Sequence, residues 1–195
     1  MEPRNASPFP SVEMLRKLIA FPTVSRDSNL DLIHYVRDYL KPYDADIRLT
    51  HDDERRKANL FATLGPRGKG GIALSGHTDV VPTEGQPWDT NPFEMVEKEG
   101  RLYGRGTSDM KGFIACVLAL VPEFVERGMK TPMHLAFSYD EEVGCLGVGR
   151  MITDLVRAGV CQIFALEQDS RTPTRRGKTA GVEDRCWPPG VRRQQ

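Results

Sequence analysis

A chain of 195 residues, 39% hydrophobic and 28% charged, has the length of one domain and the apolar content for a core. Lys plus Arg and Asp plus Glu both number 27, so the strong basic bias of a nucleic-acid or membrane-surface binder is absent. The longest apolar run, residues 113–121, is far too short to span a bilayer. The four cysteines (Cys116, Cys145, Cys161, Cys186) show no Cys-x-x-Cys spacing, and no apolar leader opens the chain. Reduced thiols, a cytoplasmic location, and no nucleic-acid or membrane partner are therefore expected.

In chain order, Ser11 caps a predicted helix with Val12, Leu15, Leu18 and Ile19 on one face, ended by Phe21-Pro22. Ser28 or Asn29 starts a second, with Leu30, Ile33, Val36 and Leu40 at helical spacing, stopped before Pro42. Residues 46–50 and 59–64 read as strands around a charged loop, and residues 65–71 as a turn feeding a buried strand over 71–75. Residues 81–105 read as a long irregular loop of the kind that is more often functional than decorative. Residues 111–121 are apolar nearly all round, a buried helix that Pro122 should kink or end. A strand over 133–139, an amphipathic helix over 148–158 and a last strand over 160–165 follow. Strands alternating with helices predict an α/β fold, layered, with a largely parallel sheet flanked by helices. In such sheets chemistry gathers beyond the carboxyl ends of the strands.

Residues 171–195 differ in composition. They hold seven basic and two acidic residues, three prolines and five apolar residues. That is too little to offset the entropy of ordering, so residues 1–170 are expected to be the domain and 171–195 a disordered or aberrant basic tail.

Four acidic clusters stand at or near strand ends. His77-Thr-Asp79 follows the strand over 71–75, and period-two alternation puts both side chains on one side if the extended conformation continues. A carboxylate behind an imidazole fixes its tautomer and frees the other nitrogen for a metal. Asp109 lies among glycines just before the buried helix, where one carboxylate with two oxygens is able to bridge a pair of divalent ions. Asp140-Glu141-Glu142 follows the strand over 133–139, and there one acid ligates while its neighbour serves as general base. Glu167 and Asp169 follow the last strand. Each has a plainer reading taken alone: a strand-end His, a helix N-cap, a solvated acidic loop, a polar turn. Together they offer one imidazole and several carboxylates without thiolate, which suits a hydrolytic zinc pair, with cobalt or manganese as a substitute. Three ligating carboxylates and a hydroxide balance two divalent charges, whereas a single ion leaves the site anionic. His34, His51 and His134 read as structural or solvated.

Ser75-Gly-His77-Thr-Asp79-Val-Val-Pro82, Gly104-Arg-Gly-Thr-Ser-Asp109-Met-Lys-Gly112 and Tyr139-Asp-Glu141-Glu142-Val-Gly144 resemble the three N-terminal motifs of the dinuclear zinc deacylase and exopeptidase family. The resemblance covers residues 11–170 and is nearest to the acetylornithine deacetylase branch. It implies that His77, Asp109 and Glu142 bind zinc, with Asp109 bridging, Asp79 orienting His77 and Glu141 acting as general base. It also implies a cis peptide after Asp109. The family's next ligand lies in a Gly-Glu-Pro-Thr-like turn, whereas this chain reads Ala165-Leu-Glu167-Gln-Asp169; register selects Glu167, with Asp169 as the alternative. The implied reaction is hydrolysis of a small N-acyl amino acid, N-acetyl-L-ornithine in the nearest branch, as a step of arginine biosynthesis. The family continues into a lid domain that also makes the homodimer, and the chain is expected to stop before it and to be inactive alone. The rival expectations are a sister desuccinylase, aminoacylase or metallo-dipeptidase, and a non-catalytic metal-binding fragment.

Overall fold

A computed structural model describes residues 9–68, 70–158, 162–165 and 192–193, the last two stretches as backbone only. Helix α1 (Pro10–Ile19) opens with Pro at its first position, Glu13 in the first turn, and Arg16 and Lys17 in the last. Pro has no N–H to lose there, and the charges oppose the helix dipole. Helix α2 (Leu30–Leu40) has Asn29 at its N-cap, but that side chain does not cap. It donates instead to Ala58 O and Thr78 Oγ1 and accepts from Ala58 N, each at 2.9 Å. A single 3-10 turn (Lys41–Tyr43) then leads into strand β1 (Asp46–His51) and strand β2 (Ala58–Leu64).

Strand β3 (Ile72–His77) runs two residues past its predicted end, so His77 belongs to the strand itself. The stretch expected to be irregular holds a short hairpin, β4 (Val96–Lys98) and β5 (Arg101–Tyr103). Three-residue strands have too few alternations to announce themselves. Helix α3 (Lys111–Arg127) passes through Pro122 instead of stopping there. Pro122 removes the N–H that would bond the carbonyl of Leu118, and the hydroxyl of Tyr39 donates to that carbonyl at 3.0 Å. Strand β6 (Met133–Ser138), helix α4 (Val148–Ala158) and strand β7 (Gln162–Ala165) complete the order, with β8 (Arg192–Arg193) beside β5.

The main sheet has the order β1-β2-β6-β3-β7. Its β6-β3-β7 half is parallel, while β1-β2 and β2-β6 pair antiparallel, so the sheet is mixed and the parallel part carries the acidic strand ends. Strand β6 slots between β2 and β3, which separates two segments that are consecutive in sequence. One face of β2 and β6 (Leu60, Leu64, Leu135, Phe137) packs under α1, α2 and α3. The other presents Phe61 and Ala136 to Met151 of α4. Period-two alternation across a sheet covered on both sides gives three layers. Asp154 of α4 is buried, pairs with Arg48 and accepts from Thr50 Oγ1 at 3.1 Å, locking α4 to β1. His134, expected to be structural or solvated, is structural: it stacks on Phe61 and bonds Thr63 Oγ1 at 2.9 Å and Gly70 O at 3.0 Å. Among the described residues no helix is long and apolar enough to cross a membrane.

Candidate metal centre

The carboxyl ends of β3 and β6 lie side by side, with His77 in register with Ser138. Pairing continues one step further, for Thr78 donates to Ser138 O through both its N–H and its hydroxyl, each at 2.8 Å. The turn after β6 is thereby delivered to the turn after β3. There a ring nitrogen of His77, a carboxylate oxygen of Glu141 and one of Glu142 all lie within 4.8 Å of one another, with Nε2 3.7 Å from Glu141 Oε2. Asp109 joins them from the third segment, its Oδ1 3.0 Å from His77 Nε2. The plainer reading of Asp109 as an N-cap does not hold: Met110 occupies that position, and the Asp109–Met110 peptide is cis. Met110 also packs under the site, with its sulfur 3.2 Å from the backbone N–H of His77. Glu167 and Asp169 lie outside the described residues.

His77 Nδ1 is held at 2.9 Å by the backbone carbonyl of Asp79, with the Asp79 carboxylate at 3.5 Å. Nε2 is thus the nitrogen turned to the carboxylates, as a metal-ligating imidazole requires. Asp79 is only 2% exposed, and its carboxylate holds other groups more closely than the ring. It accepts from Ser25 Oγ at 2.7 Å, Glu141 N at 3.1 Å and Glu142 N at 3.2 Å. It therefore anchors the backbone from which both glutamates project. Asp140, the first acid of its cluster, turns away and pairs with Lys57 Nζ at 2.6 and 2.8 Å.

So many acids in one place perturb one another. Burial disfavours the His77 cation, but hydrogen bonds with Asp109 and Asp79 outweigh it and push its pKa up to about 10. Burial pushes Glu142 up to about 7, with the charges of Asp109 and Glu141 adding and that of His77 opposing. For Asp79 burial is overcome by its hydrogen bonds, which keep its carboxyl below the usual range. Two cations lie close by. Lys111 is fully buried, donates to Leu18 O and Phe21 O, and is held down to about 7 by burial, with the charge of Asp79 opposing. Arg105 lies 5.2 Å over the Trp88 ring and bonds Gln86; burial lowers it against the charges of Glu142 and Asp109.

Neither of these is bonded to the cluster, whose acids are instead offset by protons on His77 and Glu142, the protons that a divalent cation would replace. One free imidazole nitrogen and several carboxylate oxygens are the donor set that divalent zinc, cobalt or manganese accepts. The residues present fit such a group. Ser25 and Lys57 were invisible as parts of the site, because their partners lie 32 to 83 residues away along the chain. Arg105 and Lys111 stand within the motif around Asp109, but nothing in it told their role.

The profile of Peptidase family M20/M25/M40 matches residues 73–182. Acetylornithine deacetylase of Shigella sonnei (strain Ss046) is 34% identical in an alignment 176 residues long that covers 87% of this chain and 45% of that protein. The chain thus spans about half the length of the curated relative it matches. Human carnosine dipeptidase 1 superposes with a TM-score of 0.67 at 23% identity, over 78% of this chain and 37% of that one. The Bacillus subtilis YXEP protein, described as a dinuclear metal binding peptidase from the M20 family, superposes with a TM-score of 0.55 at 20% identity, over 79% and 41%. At these identities the structural likeness is one of fold. With the profile covering more than half of its length, the chain belongs to peptidase family M20/M25/M40, a family of metal-dependent hydrolases.

Proposed function

We propose that residues 1–170 form the metal-binding part of the catalytic domain of an amide hydrolase acting on small N-acyl amino acids, with N-acetyl-L-ornithine as the substrate. The observation that carries this reading is the meeting of His77, Asp109, Glu141 and Glu142 at the ends of two parallel strands. The substrate rests on the likeness to the Shigella deacetylase.

His77, Asp109 and Glu142 would hold a pair of zinc ions, with Glu167 as a further ligand and Asp109 shared between the two. When bound, zinc supplies Lewis acidity toward the acyl oxygen and eases deprotonation of water. Glu141 takes the proton from the attacking water and returns it to the leaving amine, so that acetate and ornithine part as separate products. Its side chain is about one-third exposed, so it reaches incoming water while its backbone stays fixed on Asp79. Asp79 keeps the His77 ring and the two glutamates in one frame. The chain covers 45% of the Shigella deacetylase, and we assign metal binding, not turnover, to these residues alone.

The test loads the purified chain with Zn2+ and offers N-acetyl-L-ornithine, with and without the remaining part of the Shigella deacetylase. Retained zinc, with chelator-sensitive acetate release only when both parts are present, is the expected result. A chain that retains no zinc, or a mixture that cleaves dipeptides but not the acetyl amide, would contradict it.

A further inference from the structure

Glu141 and Glu142 project from a turn, and a turn needs holding if its side chains are to act in one place. The Asp79 carboxylate holds it from the site side, through the two glutamate N–H groups. On the other side stands an ion pair that the metal chemistry does not use. Lys57 Nζ grips both oxygens of Asp140, at 2.6 and 2.8 Å, and also donates to the backbone carbonyl of Ser25. Both side chains are mostly enclosed, at 15% and 14% exposure, and the ammonium lies 5.9 Å from the centre of the Tyr139 ring. Ser25 closes the circuit, since its hydroxyl donates to Asp79 at 2.7 Å. Lys57, Asp140, the Glu141–Glu142 backbone, Asp79 and Ser25 therefore form an unbroken ring of contacts around the base of the turn. Asp140 sits at φ 57°, a left-handed conformation uncommon for a residue with a side chain. That conformation swings the chain out of β6 toward His77, and the ion pair fixes it at the bend.

We propose that Lys57 and Asp140 are positioning residues for the metal centre. Their ion pair sets where Glu141 and Glu142 point, and so sets metal affinity without either residue touching a metal. The inference rests on the metal-binding reading above. It gives a task to the acid of the cluster that neither ligates nor transfers a proton, and to a lysine of a loop that otherwise looks like solvated surface.

The test titrates Co2+ into the intact chain and reads its visible absorption, with circular dichroism confirming the fold. Lys57→Met and the isosteric Asp140→Asn are each expected to weaken Co2+ binding roughly tenfold, the loss usual for groups supporting metal ligands. Lys57→Arg should restore most of the affinity, and Asp140→Asn should add little once Lys57 is Met. Tyr39→Phe, which loses the bond to Leu118 O of α3, controls for stability: it should lower the melting temperature and leave the Co2+ spectrum unchanged. If Lys57→Met does not fold, Asp140→Asn decides. Co2+ affinity within twofold of wild type in Asp140→Asn would overturn the positioning role while leaving the metal centre standing. A wild-type chain that takes up no Co2+ would overturn both.

Discussion

At His77 a single ring nitrogen decides what the site is able to do. Its Nδ1 is engaged by the carbonyl of Asp79, so metal binding falls to Nε2. Because hydrogen bonds to Asp109 and Asp79 hold His77 near 10, and burial with nearby acids holds Glu142 near 7, both carry protons in the metal-free chain at pH 6. A metal needs both without them. Loading should therefore release protons, and affinity should rise as pH increases through about 7, where Glu142 ionises. Calorimetric Zn2+ titrations at pH 6 and pH 8 in buffers of different ionisation heat check this; equal affinity and no proton release would refute it. Glu141 and Glu142 should differ in kind. Glu142→Gln is expected to reduce zinc affinity at least about tenfold, and Glu141→Gln to leave it nearly unchanged, as read by equilibrium dialysis. The reverse order would exchange their roles. These acids were legible in the sequence because each sits at the end of an apolar run. Asp140 looked like their equal, and nothing local told it apart, since the Lys57 that claims it lies 83 residues away.

Elements carry their own tests. Helix α3 survives Pro122 because Tyr39 satisfies the carbonyl of Leu118. Tyr39→Phe should cost about 1–3 kcal/mol by leaving that carbonyl without a partner. The cost should shrink sharply in a Pro122→Ala background, where residue 122 again supplies an N–H. Urea denaturation of the four chains reads the coupling directly, and additive costs would contradict the explanation. Gly147 marks the start of α4 more strictly. A Cβ there would lie 2.1 Å from the backbone oxygen of Tyr139, and a main-chain oxygen has no flexible tip to give way. Gly147→Ala is therefore expected to destabilise the fold by about 1–3 kcal/mol or more. The helical periods of α1, α2 and α4 were readable from spacing alone. The length of α3 was not, because its rescue comes from a hydroxyl on another helix, and the β4–β5 hairpin was too short to register.

Over the whole molecule, composition and alternation foretold the α/β class but not the strand order. A pattern of apolar positions says that β2 and β3 are buried; it does not say that β6 lies between them. That insertion matters for function, because it is what sets the turn after β6 beside His77. The motifs pointed to His77, Asp109, Glu141 and Glu142, which the fold brings together, while the buried polar braces (Asn29 against β2 and Thr78, Ser25 against Asp79) emerge only when the layers are assembled. Anomalous scattering at the zinc absorption edge, from crystals of the chain grown with Zn2+, tests the central claim most directly. The account predicts anomalous peaks within bonding reach of His77 Nε2, Asp109 and Glu142. Zinc found only elsewhere on the surface, with those side chains left unligated, would contradict it.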